Sequence, residues 1–280
     1  MQPCRIEGAT MPQQPANLMD RLACLGEDDI PVLKRTAREL ARLRGDGALP
    51  DARSVADVVT DDPLMTVKLL RYLQRHKHRS QACELVDVKQ ALLMMGLDTF
   101  FRDVPAAPIV EELLQEPRAA VHFLHVVRRA QRAASYAFDW ALRLHDMHAE
   151  EIQVSALLAH LAELLLWCFD PVGMLETRRL QAADHLRSAE AQTRALGFAS
   201  LELQRRLTAA WALPGLLGNL EEANPSTRAR IVVLAVDLAR HSADGWDDAA
   251  LPDDFNEIAT LLHTEPSRVM ALVRAGSAIT

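Results

Sequence analysis

The amino-acid sequence predicts an all-α protein, built as a compact multi-helix bundle. Glycine is scarce, with 11 residues among 280, and aromatic residues make up only 5% of the chain. Runs of β-branched residues are few, whereas apolar residues recur at helical spacing in segments that short turns separate. A chain of this length can bury a sizeable core, and no sequence repeat indicates a solenoid.

Capping residues mark the helices of the first hundred residues. Asp62-Pro63 predicts a helix start, because the carboxylate can accept hydrogen bonds from free backbone N–H groups and proline suits the first helical position. The spacing of the apolar residues in that helix puts Lys68 and Arg71 on its solvent side. Asp87 marks another start, and its helix stops at Gly96, which accepts the left-handed turn. The helices predicted here are residues 32–43, 54–60, a helix from Pro63, 88–95 and 97–104.

The second half of the chain contains the longest predicted helices. A long amphipathic helix covers residues 118–144, and an apolar helix covers residues 151–169 and ends at Asp170-Pro171. This apolar stretch contains His160 and Glu163, so a buried core helix fits it better than a membrane span. Further helices are predicted at residues 188–196, at 201–212 with Ser200 as the cap, and at 227–241, 253–262 and 266–275.

The stretch from Asp61 to Phe101 resembles the start of an HDOD domain, a bacterial signalling relative of the HD-type metal phosphohydrolases. The shared elements are Asp62-Pro63-Leu64-Met65, Leu69-Leu70-Arg71, and the helix end from Ala91 to Gly96. Gly197 and the run Trp211-Ala212-Leu213-Pro214 match later parts of the family pattern. The resemblance covers about residues 29–241 and implies one all-helical domain with an HD-like second part.

These observations predict three parts along the chain. Residues 1–28 lack the apolar core of a signal peptide, and we expect them to form a loose leader. Residues 29–242 form the HDOD-like helical domain, with an N-terminal subregion at 29–108 and an HD-like subregion at 109–242. Residues 243–280 form a C-terminal helical extension.

The resemblance also implies where a metal ion would bind and why this chain is expected to bind none. HD phosphohydrolases hold a divalent metal with a His, a consecutive His-Asp pair and a later Asp. The segment ALLAHLAELLL, residues 156–166, resembles the helix that carries the pair, and it places Ala159 and His160 at the two positions. Ser200 stands where the family often has His. Because alanine has no donor atom, we expect degenerate metal positions at Ala159 and Ser200, with no cofactor and no catalytic residue.

The remaining positions outline a candidate cleft for a ligand or a partner peptide. We expect it to be lined by His125, His160, Glu163, Ser200 and Asp237. The leading hypothesis is a non-enzymatic signal-transduction module that acts through a protein partner. One alternative is a diverged metal-dependent phosphohydrolase of nucleotides or cyclic dinucleotides that uses His125, His160, Asp237 and Glu163. Another is a nucleotide sensor that uses the same cleft.

Three further clusters have plainer interpretations. His145-Asp146 is a literal HD dipeptide, but it precedes the matching helix by about a dozen residues and is interpreted as a solvated helix start. His122 and His125 could chelate from one helix face, yet the sequence offers no third ligand, so packing is favoured. The basic segment Arg75–Arg79 is interpreted as a hydrated loop.

Composition narrows the classes of partner. A formal net charge of −7 argues against a nucleic-acid partner, which needs a clustered basic face. The four cysteines have no metal-binding or disulfide spacing and read as the reduced thiols of a cytoplasmic protein. We expect no membrane association, and the oligomeric state stays open.

Overall fold

Helices make up most of the part of the chain that the structure describes, as the sequence predicts. The computed structural model describes residues 15–45, 51–76, 87–218, 220 and 225–276, and within these ranges it contains no β-strand. A single parallel bridge joins Val32 to Ile109. The helices are α1 (Pro15–Ala23), α2 (Lys34–Gly45), α3 (Ala52–Thr60), α4 (Pro63–Arg75), α5 (Val88–Met95), α6 (Leu97–Asp103), α7 (Val110–Leu113), α8 (Pro117–Arg143), α9 (Ala149–Leu158), α10 (Leu161–Phe169), α11 (Pro171–Asp184), α12 (Ser188–Leu196), α13 (Ser200–Ala210), α14 (Gly215–Gly218), α15 (Thr227–His241), α16 (Leu251–Leu261) and α17 (Pro266–Gly276).

The predicted caps hold the helix starts in place. The Asp62 carboxylate accepts hydrogen bonds from the backbone N–H groups of Leu64, at 2.9 Å, and Met65, at 3.2 Å. Asp87 caps α5 in the same way. Gly96 ends α5 with a φ of 79°, a backbone conformation that favours glycine. The caps of α4 and α5 at Asp62 and Asp87 and the end of α5 at Gly96 are therefore confirmed, whereas the ψ of 142° shows that Gly96 does not form the predicted left-handed turn.

Two charged side chains of α4 do not face solvent, contrary to the prediction. Lys68 is fully buried, and its ammonium group donates hydrogen bonds to the carbonyls of Ile30 and Ala107. The Arg71 guanidinium lies 4.2 Å from the centre of the Trp211 ring. The helix is packed on more than one side, because α4 runs through the N-terminal core rather than along its surface.

Among the described residues, four helices occur where none is predicted; α7 and α14 have only four residues each, and the two longer ones are α1 and α11. The segment expected to be a loose leader contains α1, which packs Leu18 and Leu22 into the core, so the first described helix begins within that segment, at Pro15. Residues 1–14 lie outside the described ranges. The other longer helix is α11, whose start is capped by Asp170 through a 3.0 Å hydrogen bond from the Gly173 N–H. Asp170-Pro171 therefore ends one helix and begins the next, just as Asp62-Pro63 begins α4.

The apolar stretch predicted as one helix is divided into α9 and α10 at Ala159 and His160. A side chain from α13 holds the two ends: the Gln204 amide oxygen accepts from the Ala162 N–H at 2.9 Å, and its amide nitrogen donates to the Leu158 carbonyl at 3.0 Å. By length and composition the Ala149–Phe169 stretch could cross a membrane, but 72% of its most apolar window is buried inside the fold. Burial in the core accounts for its apolar character.

The long helix α8 connects two hydrophobic cores. Its first half packs with α1–α5 and α10–α13 through residues such as Phe123 and Val126. Its second half packs with α9 and α15 through Tyr136 and Trp140, and α16 and α17 join this second core. The predicted C-terminal extension is thus part of a core that it shares with the HD-like subregion.

Candidate functional site

The candidate cleft lies where α8 faces the break between α9 and α10. One face of α8 presents His122, His125 and Arg129, which are spaced three and four residues apart. The first two turns of α10 present Glu163 and Trp167. The hydrogen bonds of Gln204 fix the backbone between these helices, so the position of His160 is set by α13.

An ion pair occupies the cleft. The Arg129 guanidinium binds the Glu163 carboxylate, and the two side chains are only 14% and 18% exposed. At that degree of burial the pair is screened little by solvent. Glu163 therefore has a cationic partner from within the chain itself.

His160 lies next to cationic groups rather than ligands. Burial and the positive charges of Arg129 and Arg240 hold the pKa of His160 well below its usual value, so the imidazole is neutral at pH 7. Its Nε2 atom and the Nε atom of Arg129 are both buried, and within the described ranges neither has a hydrogen-bond partner.

The two histidines of α8 make ring contacts with each other and with the core. The rings of His122 and His125 meet edge to face, with their centres 6.4 Å apart. The His122 ring also stacks on Trp167 at 5.2 Å, with an angle of 18° between the planes. His122 is thus held by packing, as the sequence interpretation favours, whereas His125 is exposed.

The other two predicted cleft residues, Asp237 and Ser200, make their contacts elsewhere than with His125, His160 and Glu163. Asp237 on α15 binds Arg240 at 2.6 Å, and burial raises the pKa of its carboxyl group. Ser200 lies in the first turn of α13, where its backbone N–H donates to Gln192, while Ala199 takes the capping position predicted for Ser200. Across the part of the chain that the structure describes, no hydrogen bond or ion pair joins Ser200 to the other four residues.

These residues do not fit a divalent cation. Among the described residues, no group of three or more His, Cys, Asp and Glu side chains is arranged to hold a metal. The Glu163 carboxylate, three residues after His160, is bound by the Arg129 guanidinium, and Ala159 supplies no donor atom. A metal ion would have to displace Arg129 and would then lie beside a second cation, Arg240.

The other clusters are engaged in local contacts. Asp146 of the His145-Asp146 dipeptide binds Arg228 at 2.8 Å and caps the following turn through the His148 N–H. In the basic segment, Arg75 binds Glu27, while residues 77–79 lie outside the described ranges.

Sequence reasoning missed the arginines that define the site. Arg129 and Arg240 are each part of an ion pair, and Arg178 on α11 acts on His122. For Arg129 a signal exists, since it follows His125 by one helical turn. Arg178 could be found only by recognising that Asp170-Pro171 starts a helix.

A large open groove lies on another side of α8. Its volume is about 1620 Å³, and it separates the N-terminal helices α3 and α5 from α8, α9 and the end of α17. The walls carry Arg53, Asp57 and Lys89 on one side, and Arg128 and Glu150 on the other. Charged groups of both signs therefore line it.

Comparison with known proteins identifies a matching family model and several solved structures with a similar fold. A family model described as HDOD domain matches residues 30–222, ending ahead of the boundary predicted at 242. A search of curated proteins gave no match. Among solved structures, the chain is similar to the MmoQ response regulator of Methylococcus capsulatus strain Bath, with 18% identity and a TM-score of 0.67 over 90% of this chain and 99% of that one. It is also similar to a virulence factor of Campylobacter jejuni, with 18% identity and a TM-score of 0.66 over 88% and 87% of the two chains.

A third solved structure is that of a protein named for its HDOD domain. The chain is similar to an HDOD domain protein of unknown function from Geobacter sulfurreducens, with 16% identity and a TM-score of 0.50 over 94% of each chain. At these identities the structural likeness concerns the fold alone. The family model spans well over half of the chain, and the Asp-Pro cap, the helix end at Gly96 and the all-helical fold agree with it, so the chain belongs to the HDOD domain family.

Proposed function

We propose that the chain is a non-enzymatic signalling module that acts by binding a protein partner. The observation that carries this proposal is the Arg129–Glu163 ion pair beside His160. A hydrolase of the HD type needs converging donors to hold a cation that activates water. Here a guanidinium fills the cation's electrostatic role, and it can neither bind water as a Lewis acid nor lower the pKa of that water.

The groove beside α8 is the surface best suited to a partner. Arg53, Lys89 and Arg128 have no ion-pair partner among the described residues, and the same holds for Asp57 and Glu150. A wall with unpaired charges of both signs complements a protein segment that itself carries both signs, whereas a nucleic acid would require cations alone. The exposed apolar side chain of Leu272, at 37% exposure, lies at the rim.

The similar proteins support a role in signalling. The description of one names a response regulator, and this chain matches it over 99% of its length. In this chain the Arg129–Glu163 ion pair occupies the cleft. A module with such a fold can still transmit a signal through its shape and surface charge.

Affinity capture with matched charge reversals tests the proposal. The groove variant carries Arg53→Glu and Lys89→Glu, and the control carries Arg38→Glu and Arg118→Glu at exposed positions away from the groove. We expect the wild-type protein and the control to enrich the same partner from the native cell, and the groove variant to lose it.

A hydrolysis assay tests whether the protein is an enzyme after all. Wild-type protein is incubated with nucleotides and cyclic dinucleotides in the presence of Mn²⁺ or Mg²⁺. Turnover that disappears in His125→Ala would contradict the non-enzymatic proposal, and so would a partner that is captured equally by the groove variant.

A further inference from the structure

A patch at the edge of the cleft contains an arginine that has no anionic partner among the described residues. It consists of His122 and His125 on α8 and Arg178 on α11, and we name it the α8–α11 patch. The two imidazole rings are in edge-to-face contact at 6.4 Å. Arg178 lies close enough to His122 for its charge to act on that ring, and α8 and α11 pack against each other.

Arg178 differs from its neighbour in how it is paired. Arg179 binds Glu176 at 2.7 Å on the exposed side of α11. Arg178 is half-buried, and within the described ranges it has neither an ion pair nor a hydrogen-bond partner. Since a half-buried guanidinium has lost part of its hydration, leaving it unpaired has a cost that an anionic ligand would remove.

The surrounding groups make the patch suitable for an anion. Glu163 is the carboxylate that acts on His122, but it is already bound by Arg129. Burial, together with the charges of Arg178 and His125, lowers the pKa of His122, so its ring is a neutral N–H donor at pH 7. The stack on Trp167 fixes the orientation of that donor.

We propose that the α8–α11 patch binds the phosphate group of a small molecule, with Arg178 as the main contact and His122 and His125 as donors. A guanidinium can bind two phosphate oxygens at once, and imidazole N–H groups suit the remaining oxygen. This goes beyond the proposed function, because it gives the signalling module a small-molecule ligand.

Calorimetric titration with inorganic phosphate and with adenosine monophosphate tests the site at low ionic strength. We expect saturable binding to wild-type protein that weakens at least about tenfold in Arg178→Gln, since a charged hydrogen bond is lost. The matched control Arg179→Gln removes an exposed, paired arginine one residue away and should change the affinity less than about twofold. His122→Phe keeps an aromatic ring against Trp167 but removes the donor, and it should also weaken binding.

The two probes distinguish the source of the phosphate. Tighter binding of the nucleotide indicates a nucleotide ligand, whereas equal affinity indicates that the phosphate group alone is recognised, and both results support the site. If folded wild-type protein gives no saturable binding to either probe, or if Arg178→Gln and Arg179→Gln behave alike, the site is overturned. That failure would leave the groove capture experiment unaffected, so the two proposals fail separately.

Discussion

Asp62 joins two segments of the N-terminal core through a single carboxylate. Besides capping α4, it accepts a 2.9 Å hydrogen bond from the Leu33 N–H, which lies just ahead of α2. All of these groups are buried, so water cannot replace the carboxylate. Its place in the family pattern thus has a structural explanation.

We expect replacement of the two capping aspartates to lower the free energy of unfolding by different amounts. Asp62→Ala should lower the free energy of unfolding by about 3 kcal/mol, because it removes a cap and also leaves the buried Leu33 N–H unpaired. Asp87→Ala is the matched control, since it caps α5 through two N–H groups at an exposed end and should cost about 1 kcal/mol. Denaturant unfolding measures both, and equal losses would contradict this explanation.

Lys68 gives the molecule a distinctive pH dependence. Burial lowers the pKa of Lys68 from 10.5 to about 8, against the opposing charges of Asp28, Asp29, Glu27 and Asp62. At a pH between the two pKa values, Lys68 is protonated in the unfolded chain and neutral in the folded chain. The free energy of unfolding therefore increases as the pH rises through this range. Below pH 8 both states are protonated, and the penalty of burying the charge is fully present.

Comparison with Lys68→Met isolates this effect. We expect the stability of the wild-type protein relative to Lys68→Met to increase by up to about 3 kcal/mol from pH 8 to pH 10.5. Denaturant unfolding across the range measures it, with the other titrating groups cancelling between the two proteins. A difference that is constant or falls with pH would show that Lys68 is not desolvated in this way.

The Arg129–Glu163 pair is accessible to a double-mutant cycle. Arg129→Met and Glu163→Gln each leave a poorly solvated partner, so each should destabilise the fold, while the double variant should lose less than the sum. The coupling free energy should be about 1–3 kcal/mol. Additive losses in thermal or denaturant unfolding would indicate that the two side chains do not interact.

At the scale of elements, the break between α9 and α10 depends on Gln204. Its side chain is 8% exposed and satisfies one N–H and one carbonyl at the break. Gln204→Leu should therefore lower the free energy of unfolding by about 2–4 kcal/mol. Gln181→Leu, at a partly exposed glutamine whose hydrogen bond to Ser188 is exposed, should change it by less than about 0.5 kcal/mol. Similar effects for the two variants would contradict the role of Gln204.

The sequence predicts elements well where the signal is local. The caps at Asp62 and Asp87 and the boundaries of α12 and α15 agree with the structure because each depends on neighbouring residues. The break at His160 is not predictable in this way, because Gln204 lies more than forty residues away along the chain and the apolar pattern continues through the break.

The candidate site is predicted only in part for the same reason. The family resemblance identifies the helix that carries His160 and Glu163, and the structure puts both beside Arg129. The positions of Arg240 and Arg178 depend on how α15 and α11 pack against the cleft, and neither contact leaves a local pattern in the sequence.

At the scale of the whole molecule, α8 connects the α8–α11 patch with the groove, the two surfaces for which we propose ligands. One face contributes to the cleft and the α8–α11 patch, and another lines the groove. Because the helix is continuous over 27 residues and packs in both cores, the cleft and the groove are built on one rigid element. Arg132 extends this connection by binding Ser242 at the end of α15, at 3.0 Å between the guanidinium and the hydroxyl.

Metal content is the most direct measurement of the central claim, that a cation from the chain itself has replaced a bound metal. The protein is expressed in medium supplemented with Mn²⁺, Fe²⁺ and Zn²⁺, dialysed without chelator and analysed by plasma mass spectrometry. We predict much less than one transition-metal ion per chain, both for the wild-type protein and for His125→Ala. One or more ions per wild-type chain, lost in His125→Ala, would contradict the claim.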